Sequence, residues 1–235
     1  MTRRSRNWLI VSLAAAVLLA GGAALIYMAS HHVPSFYAEA LNPPPAVDSK
    51  SGREMKQGVS TLAGETLRGG RWRATFTDKQ INGFLAVDLP KNHPRLLPPN
   101  IHDPRVSIRR GEASIGWRAE GRWPAVYSLA ITPYVARPNV LAVRILRIRA
   151  GALPVPLGEV VDGLSIAARK AGLRLDWQQA DGDPVALIEL PVDSESEKRL
   201  VLDEVELIDG AIVIAGHTEH QPSDSDQAAL PRATR

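Results

Sequence analysis

Residues 126–149 read VYSLAITPYVARPNVLAVRILRIR, and the way this stretch divides decides the fold class. Val126 to Tyr134 and Val140 to Arg149 are two runs rich in β-branched and aromatic residues, with Pro138-Asn139 between them as a turn signal. Two runs joined so tightly pair antiparallel, because a parallel pair needs a crossover of about a dozen residues or more. The same pattern extends outward. Val106 with Ile108, then Ala113, Ile115, Trp117 and Ala119, are alternating segments set apart by Arg110-Gly111 and by Gly121 to Pro124. Leu173 to Trp177 and Val185 to Leu190 flank Asp181-Gly182-Asp183-Pro184, while Val201 to Ile208 and Ala211 to Ala215 flank Asp209-Gly210, a dipeptide suited to hairpin turns. Arg71 to Phe76 also alternates, with Trp72, Ala74 and Phe76 on one side.

The period becomes helical in three places. Met55, Val59 and Leu62 mark a helix over Asp48 to Leu67, stopped by Gly69-Gly70. Thr77 and Gln80 have capping-box spacing, Phe76 and Ile81 are placed as a hydrophobic staple, and Asp78 suits the positive helix end. Ile81, Phe84, Leu85 and Leu89 then form one stripe, which Pro90 is expected to end. Leu157, Val160, Val161, Leu164, Ala168 and Ala171 form another, from Pro156 to Gly172, with Arg169 and Lys170 in its last turn. Lys91 to Pro104, rich in proline, reads as irregular. The expected fold is α+β: an antiparallel sheet of about eight strands packed against or curled around two amphipathic helices, preceded by one transmembrane helix.

That first helix is read from the start of the chain. Arg3, Arg4 and Arg6 precede an uncharged run of 21 residues from Trp8 to Met28. At about 1.5 Å of rise per residue such a run spans about 31 Å, enough for the roughly 30 Å hydrocarbon core of a bilayer. The apolar region of a cleaved signal peptide is usually only about 7 to 15 residues, so a retained anchor is the expectation. The positive-inside rule leaves the tip in the cytoplasm and everything beyond Met28 outside. Trp8 and Tyr27 suit the headgroup layers at the two ends. The expected organisation is a cytoplasmic tip (1–7), the transmembrane helix (8–28), a stalk (29–50) held extended by Pro43-Pro44-Pro45, an extracytoplasmic domain (51–218) and a disordered tail (219–235).

Net charge is +3, but three of the 28 basic residues sit in the tip and none of the acidic ones do, leaving 25 of each sign beyond it. A balanced domain has no general attraction to phosphate backbones, so nucleic acid is not an expected partner. The chain has no cysteine, which excludes disulfides, thiolate metal sites and thiol catalysis.

Three stretches carry a family likeness: Phe76-Thr77-Asp78-Lys79-Gln80-Ile81-Asn82, a Thr-capped helix start ending in Ile-Asn; Ile131-Thr132-Pro133-Tyr134 running through Val140 to Ile148; and Ala150-Gly151-Ala152-Leu153-Pro154-Val155-Pro156 leading into a helix. They resemble the membrane-anchored bacterial proteins typified by YpmS, over about residues 72–215. The sequence departs from that pattern at Ala136-Arg137-Pro138-Asn139, where the family has a glycine-containing turn. The resemblance implies an anchored extracytoplasmic domain and supplies no catalytic residue.

Candidate chemistry is sparse. Gly163-Leu164-Ser165-Ile166-Ala167 nearly matches a nucleophile elbow, but mid-helix placement reads Ser165 as an ordinary helix serine. His217, Glu219 and His220 make an incomplete metal set on what reads as an exposed tail. His31-His32 reads as solvated stalk, and Asp181 with Asp183 as a turn with too few oxygens for calcium. Arg144, Arg147 and Arg149 read as the charged outer face of a strand, with anionic headgroups or polymers as the functional alternative. Leu85, Val160, Val161 and Leu164 would line an apolar ligand groove if the helix stripes are not simply core. The expectation is a non-enzymatic binding domain without cofactor or metal, held in the cell membrane through residues 8–28, with a lipid or another apolar ligand. An envelope interaction scaffold is the alternative and a hydrolase the third reading.

Overall fold

A computed structural model describes residues 18–94, 97, 100–120, 124–170, 172–190 and 198–220. The fold is α+β, with one large antiparallel sheet and a smaller one. The large sheet has seven strands: β2 (Ile101–Arg109), β3 (Glu112–Ala119), β4 (Ala125–Arg137), β5 (Val140–Ala150), β8 (Asp183–Glu189) and β7 (Arg174–Ala180) in that order, with β6 (Leu153–Pro154) paired to β5. The small sheet is β1 (Gly70–Thr77), β10 (Ala211–His220) and β9 (Lys198–Ile208). The strands anticipated as one sheet thus divide into two, because β1 pairs with β10 across most of the chain, Gly70 opposite Thr218.

The β4–β5 hairpin turns at Pro138-Asn139 without glycine, and Asn139 takes φ 60°, a left-handed conformation that Asn tolerates better than most side chains. Its buried amide then serves the neighbouring sheet: Nδ2 donates to Leu200 O at 2.8 Å and Oδ1 accepts from Leu202 N at 2.8 Å. Farther along, Ile131 pairs with Ile145 but Ala130 with Arg147, so Leu146 is an extra residue, a β-bulge. The bulge lets both Ile145 and Ile148 reach the core, 1% and 4% exposed, where they meet Leu129. Trp117, Trp177 and Leu164 close over this cluster. Leu164 is contributed by α6 (Leu157–Lys170), the helix read from its stripe. A second cluster of Ile108, Ala113 and Leu207 joins the two sheets.

The capping box forms: Thr77 Oγ1 accepts from Gln80 N at 3.2 Å and Gln80 Oε1 from Thr77 N at 2.9 Å, opening α4 (Asp78–Gly83). Pro90 does not end the helix as expected. The chain passes through a π-turn (Phe84–Asp88) into α5 (Leu89–Asn92). Leu89 N–H bonds Phe84 O, widening the helix just where the Pro90 ring would otherwise meet a preceding carbonyl. Asn82 points from α4 to β2, giving Nδ2 to Val106 O at 2.8 Å and taking Val106 N–H at 2.7 Å.

The extended stalk is also corrected. Helix α1, described over residues 18–30, is followed by α2 (Ser35–Leu41) and α3 (Pro45–Arg68). The prolines stand at helix starts, Pro34 and Pro44 at the caps and Pro45 in the first turn, where a missing N–H costs nothing and the restricted φ fits. Packing holds the segment down: Ala152 N–H donates to Ala29 O at 2.8 Å, Tyr37 is 2% exposed with its hydroxyl on Asp103 O at 2.9 Å, and Arg105 Nε reaches Ala40 O at 3.0 Å. At the other end β10 runs to His220, so Glu219 and His220, assigned to the tail, belong to a paired strand opposite Arg199 and Lys198. Residues 221–235, expected to be disordered, lie outside the described residues. Among the described residues no helix is long and apolar enough to cross a membrane. The anchor expected at 8–28 lies outside them up to residue 17.

Candidate functional site

One face of the large sheet carries the candidate site. By strand alternation Ser107 stands opposite Ser114, Arg109 opposite Glu112, Ser128 opposite Arg149 and Ala130 opposite Arg147, all on the face away from Leu129 and Ile148. Because of the bulge at Leu146, Arg144 joins Arg147 and Arg149 on that face, opposite Thr132. The segment from His32 to Phe36 lies across it as a strap. Gly116 lets the strap sit close, since a Cβ there would come within 2.7 Å of the Tyr37 ring. Between strap and strands is a hollow of about 270 Å³, walled by His32 and Phe36 on one side and by Arg109, Arg147 and Arg149 on the other.

Its electrostatics are lopsided. Arg147 pairs with Glu112, whose carboxylate also accepts from Ser114 Oγ at 3.3 Å. Arg109 and Arg149 are solvent-exposed, and among the described residues neither has an ion-pair partner. Three guanidinium groups therefore line the hollow against one carboxylate.

A second constellation lies on the small sheet. His217 Nδ1 is 2.6 Å from Asp203 Oδ2 and its Nε2 is 3.1 Å from Glu219 Oε1. Hydrogen bonding to Asp203, then to Glu219, raises the imidazole pKa above its usual 6.5. The arrangement is an ion-paired latch across β9 and β10, and among the described residues no group of side chains could hold a metal ion.

The other candidates fall apart in space. Ser165 Oγ donates to Val161 O at 2.7 Å and accepts from Trp177 Nε1 at 2.8 Å, which ties α6 to β7 and occupies the hydroxyl. Asp181 (φ 54°) and Gly182 (φ 87°) make the β7–β8 turn, and Asp181 holds Arg144 at 2.9 Å. His31 folds back on Tyr27 O at 2.9 Å, whereas His32 reaches the hollow. Leu85 sits in the π-turn beside α3 and β2; Val160, Val161 and Leu164 are on α6, which packs on β7. Leu164 is partly buried and packs against the core cluster of Leu129, Ile145 and Ile148. Sequence reasoning placed Arg144, Arg147 and Arg149 on an outer face, read His32 as solvated stalk, and missed Arg109. Alternation of Ser107 and Arg109 with the apolar Val106 and Ile108 was a usable signal for Arg109; the strap that brings in His32 had none.

No family model, no curated protein and no solved structure matches the chain.

Proposed function

We propose that this is a membrane-anchored, extracytoplasmic, non-enzymatic binding domain whose ligand is a lipid or another envelope component. The observation that carries the reading is the continuity from α1 to the sheet: Ala29 O is bonded to Ala152 N–H at the β5–β6 turn. The strap that follows then forms a wall of a basic hollow. A run of apolar residues ending at Met28 would in this way deliver the domain to the bilayer surface in a set orientation instead of on a loose tether. The arginines before the run favour an outside location for the domain. The commitment of Ser165 to Val161 and Trp177 supports a binding role over hydrolysis. The likeness to the YpmS group of anchored proteins is part of the same proposal.

Two measurements test it. In intact cells with a permeabilised outer layer, added protease should remove a C-terminal tag, and native mass spectrometry of the detergent-purified full chain should show retained lipid. A protected tag sinks the topology; a protein free of ligand under gentle extraction sinks the lipid reading.

A further inference from the structure

We infer that the hollow between the strap and the arginines of β2 and β5 is a site for a phosphate group, presented by a lipid headgroup or by a free or polymeric phosphate. The inference rests on the binding-domain reading and names the chemistry of its ligand. Arg109 and Arg149 are charged, exposed and unpaired among the described residues, and they stand on either side of the Arg147–Glu112 pair. Guanidinium groups meet phosphate oxygens in fork-shaped pairs of charge-assisted hydrogen bonds, the geometry for which arginine is preferred over lysine. Ser107 and Ser128 add hydroxyl donors to the same lining, where Ser114 already donates to Glu112, and His32 adds an imidazole. The lining therefore offers many donors and an excess of two positive charges, three arginines against Glu112.

Size narrows the ligand. Pockets for drug-sized molecules run to about 300–1,000 Å³. A hollow of about 270 Å³ with a mostly polar rim suits a small ionised group and leaves no room for a buried acyl chain. The whole domain is charge-balanced, so the attraction is local, carried by Arg109 on β2 and by Arg147 and Arg149 on β5, on one face of the sheet with β3 and β4 between them. Gly151, at the edge of the hollow, lies so close to the end of α1 that a Cβ there would collide with the Ala29 and Ser30 carbonyls. The site thus opens beside the point where α1 reaches the domain, which is where headgroup phosphates would be met.

The full chain in neutral detergent, titrated by calorimetry, provides the test. The probes are inorganic phosphate and phosphatidylglycerol in mixed micelles, with a neutral diacylglycerol as the control lipid. Saturable binding of phosphatidylglycerol alone assigns the site to a lipid headgroup; equal binding of inorganic phosphate assigns it to the free anion. In either case the double variant Arg109→Gln, Arg149→Gln should weaken binding by roughly tenfold or more, the scale of a lost charge-assisted pair. Arg144→Gln removes the same charge from β5 at a residue already held by Asp181 and outside the lining, and should leave affinity within about twofold. No saturable binding of either phosphate probe, or an equal loss in the Arg144 variant, overturns the proposal. An intracellular C-terminus would refute the topology while leaving a measured phosphate affinity standing, so the two failures are distinguishable.

Discussion

His217 shows how far one side chain's role depends on its neighbours across a strand pair. Asp203 and Glu219 hold the imidazolium from two sides, so its pKa lies higher in the folded chain than the ordinary 6.5. A raised folded value means that the stabilisation is complete below the unfolded value and is lost as pH rises through the folded one. His217→Gln should therefore lower the urea midpoint most at about pH 6, with the difference from the parent shrinking as pH is raised. A difference constant with pH would show that the imidazole acts by packing alone. The sequence offered His217 and Glu219 as neighbours two residues apart, but Asp203 enters only through the β9–β10 register, which shifts at Ala215/Gly216.

At the scale of elements, the crossing of α3 and α4 depends on absent side chains. A Cβ on Gly83 would fall 2.5 Å from Asp48 O and from Gly52 N, and one on Gly52 would fall 2.8 Å from Gly83 O. The obstacles are backbone atoms, which cannot swing aside. Gly83→Ala should cost about 3 kcal/mol or more by forcing the helices apart, measured as the shift in chemical unfolding midpoint. A loss below about 1 kcal/mol would mean that the crossing adjusts freely. Helix existence was legible here from Thr77, Gln80 and the apolar stripe, because capping and periodicity are local properties. The path through Pro90 was not, since a π-turn depends on whether the downstream turn has something to pack on; Leu89 is buried and Asp88 accepts from Lys56 Nζ at 2.6 Å on α3. The bulge at Leu146 was equally hidden. Reading Arg144, Arg147 and Arg149 as one outer face did not follow from regular alternation, since Arg144 and Arg147 are three apart and fall on opposite faces of a regular strand; the bulge against β4 is what places them together.

For the whole molecule, the strap from α1 through α2 is part of the folded unit. Tyr37 covers Gly116, and Ala40 O takes the buried Arg105 guanidinium. A chain starting at residue 43 should therefore be less stable than one starting at residue 31 by about 3 kcal/mol or more, combining a lost buried aromatic side chain with the lost Arg105–Ala40 hydrogen bond. Equal melting temperatures for the two would show the strap to be dispensable.

Local rules sufficed for the α+β class, the hairpin at Pro138-Asn139, the capped α4 and the amphipathic α6, because each rests on residues within a turn or two of one another. Only the tertiary structure decided that the strands divide into two sheets, that prolines 34, 44 and 45 start helices instead of stiffening a stalk, and that Arg109, Arg147 and Arg149 share a hollow with His32. Those outcomes depend on pairings between distant parts of the chain, such as Gly70 with Thr218 and Ala29 with Ala152, whose free energy is set by burial and register that no short stretch contains.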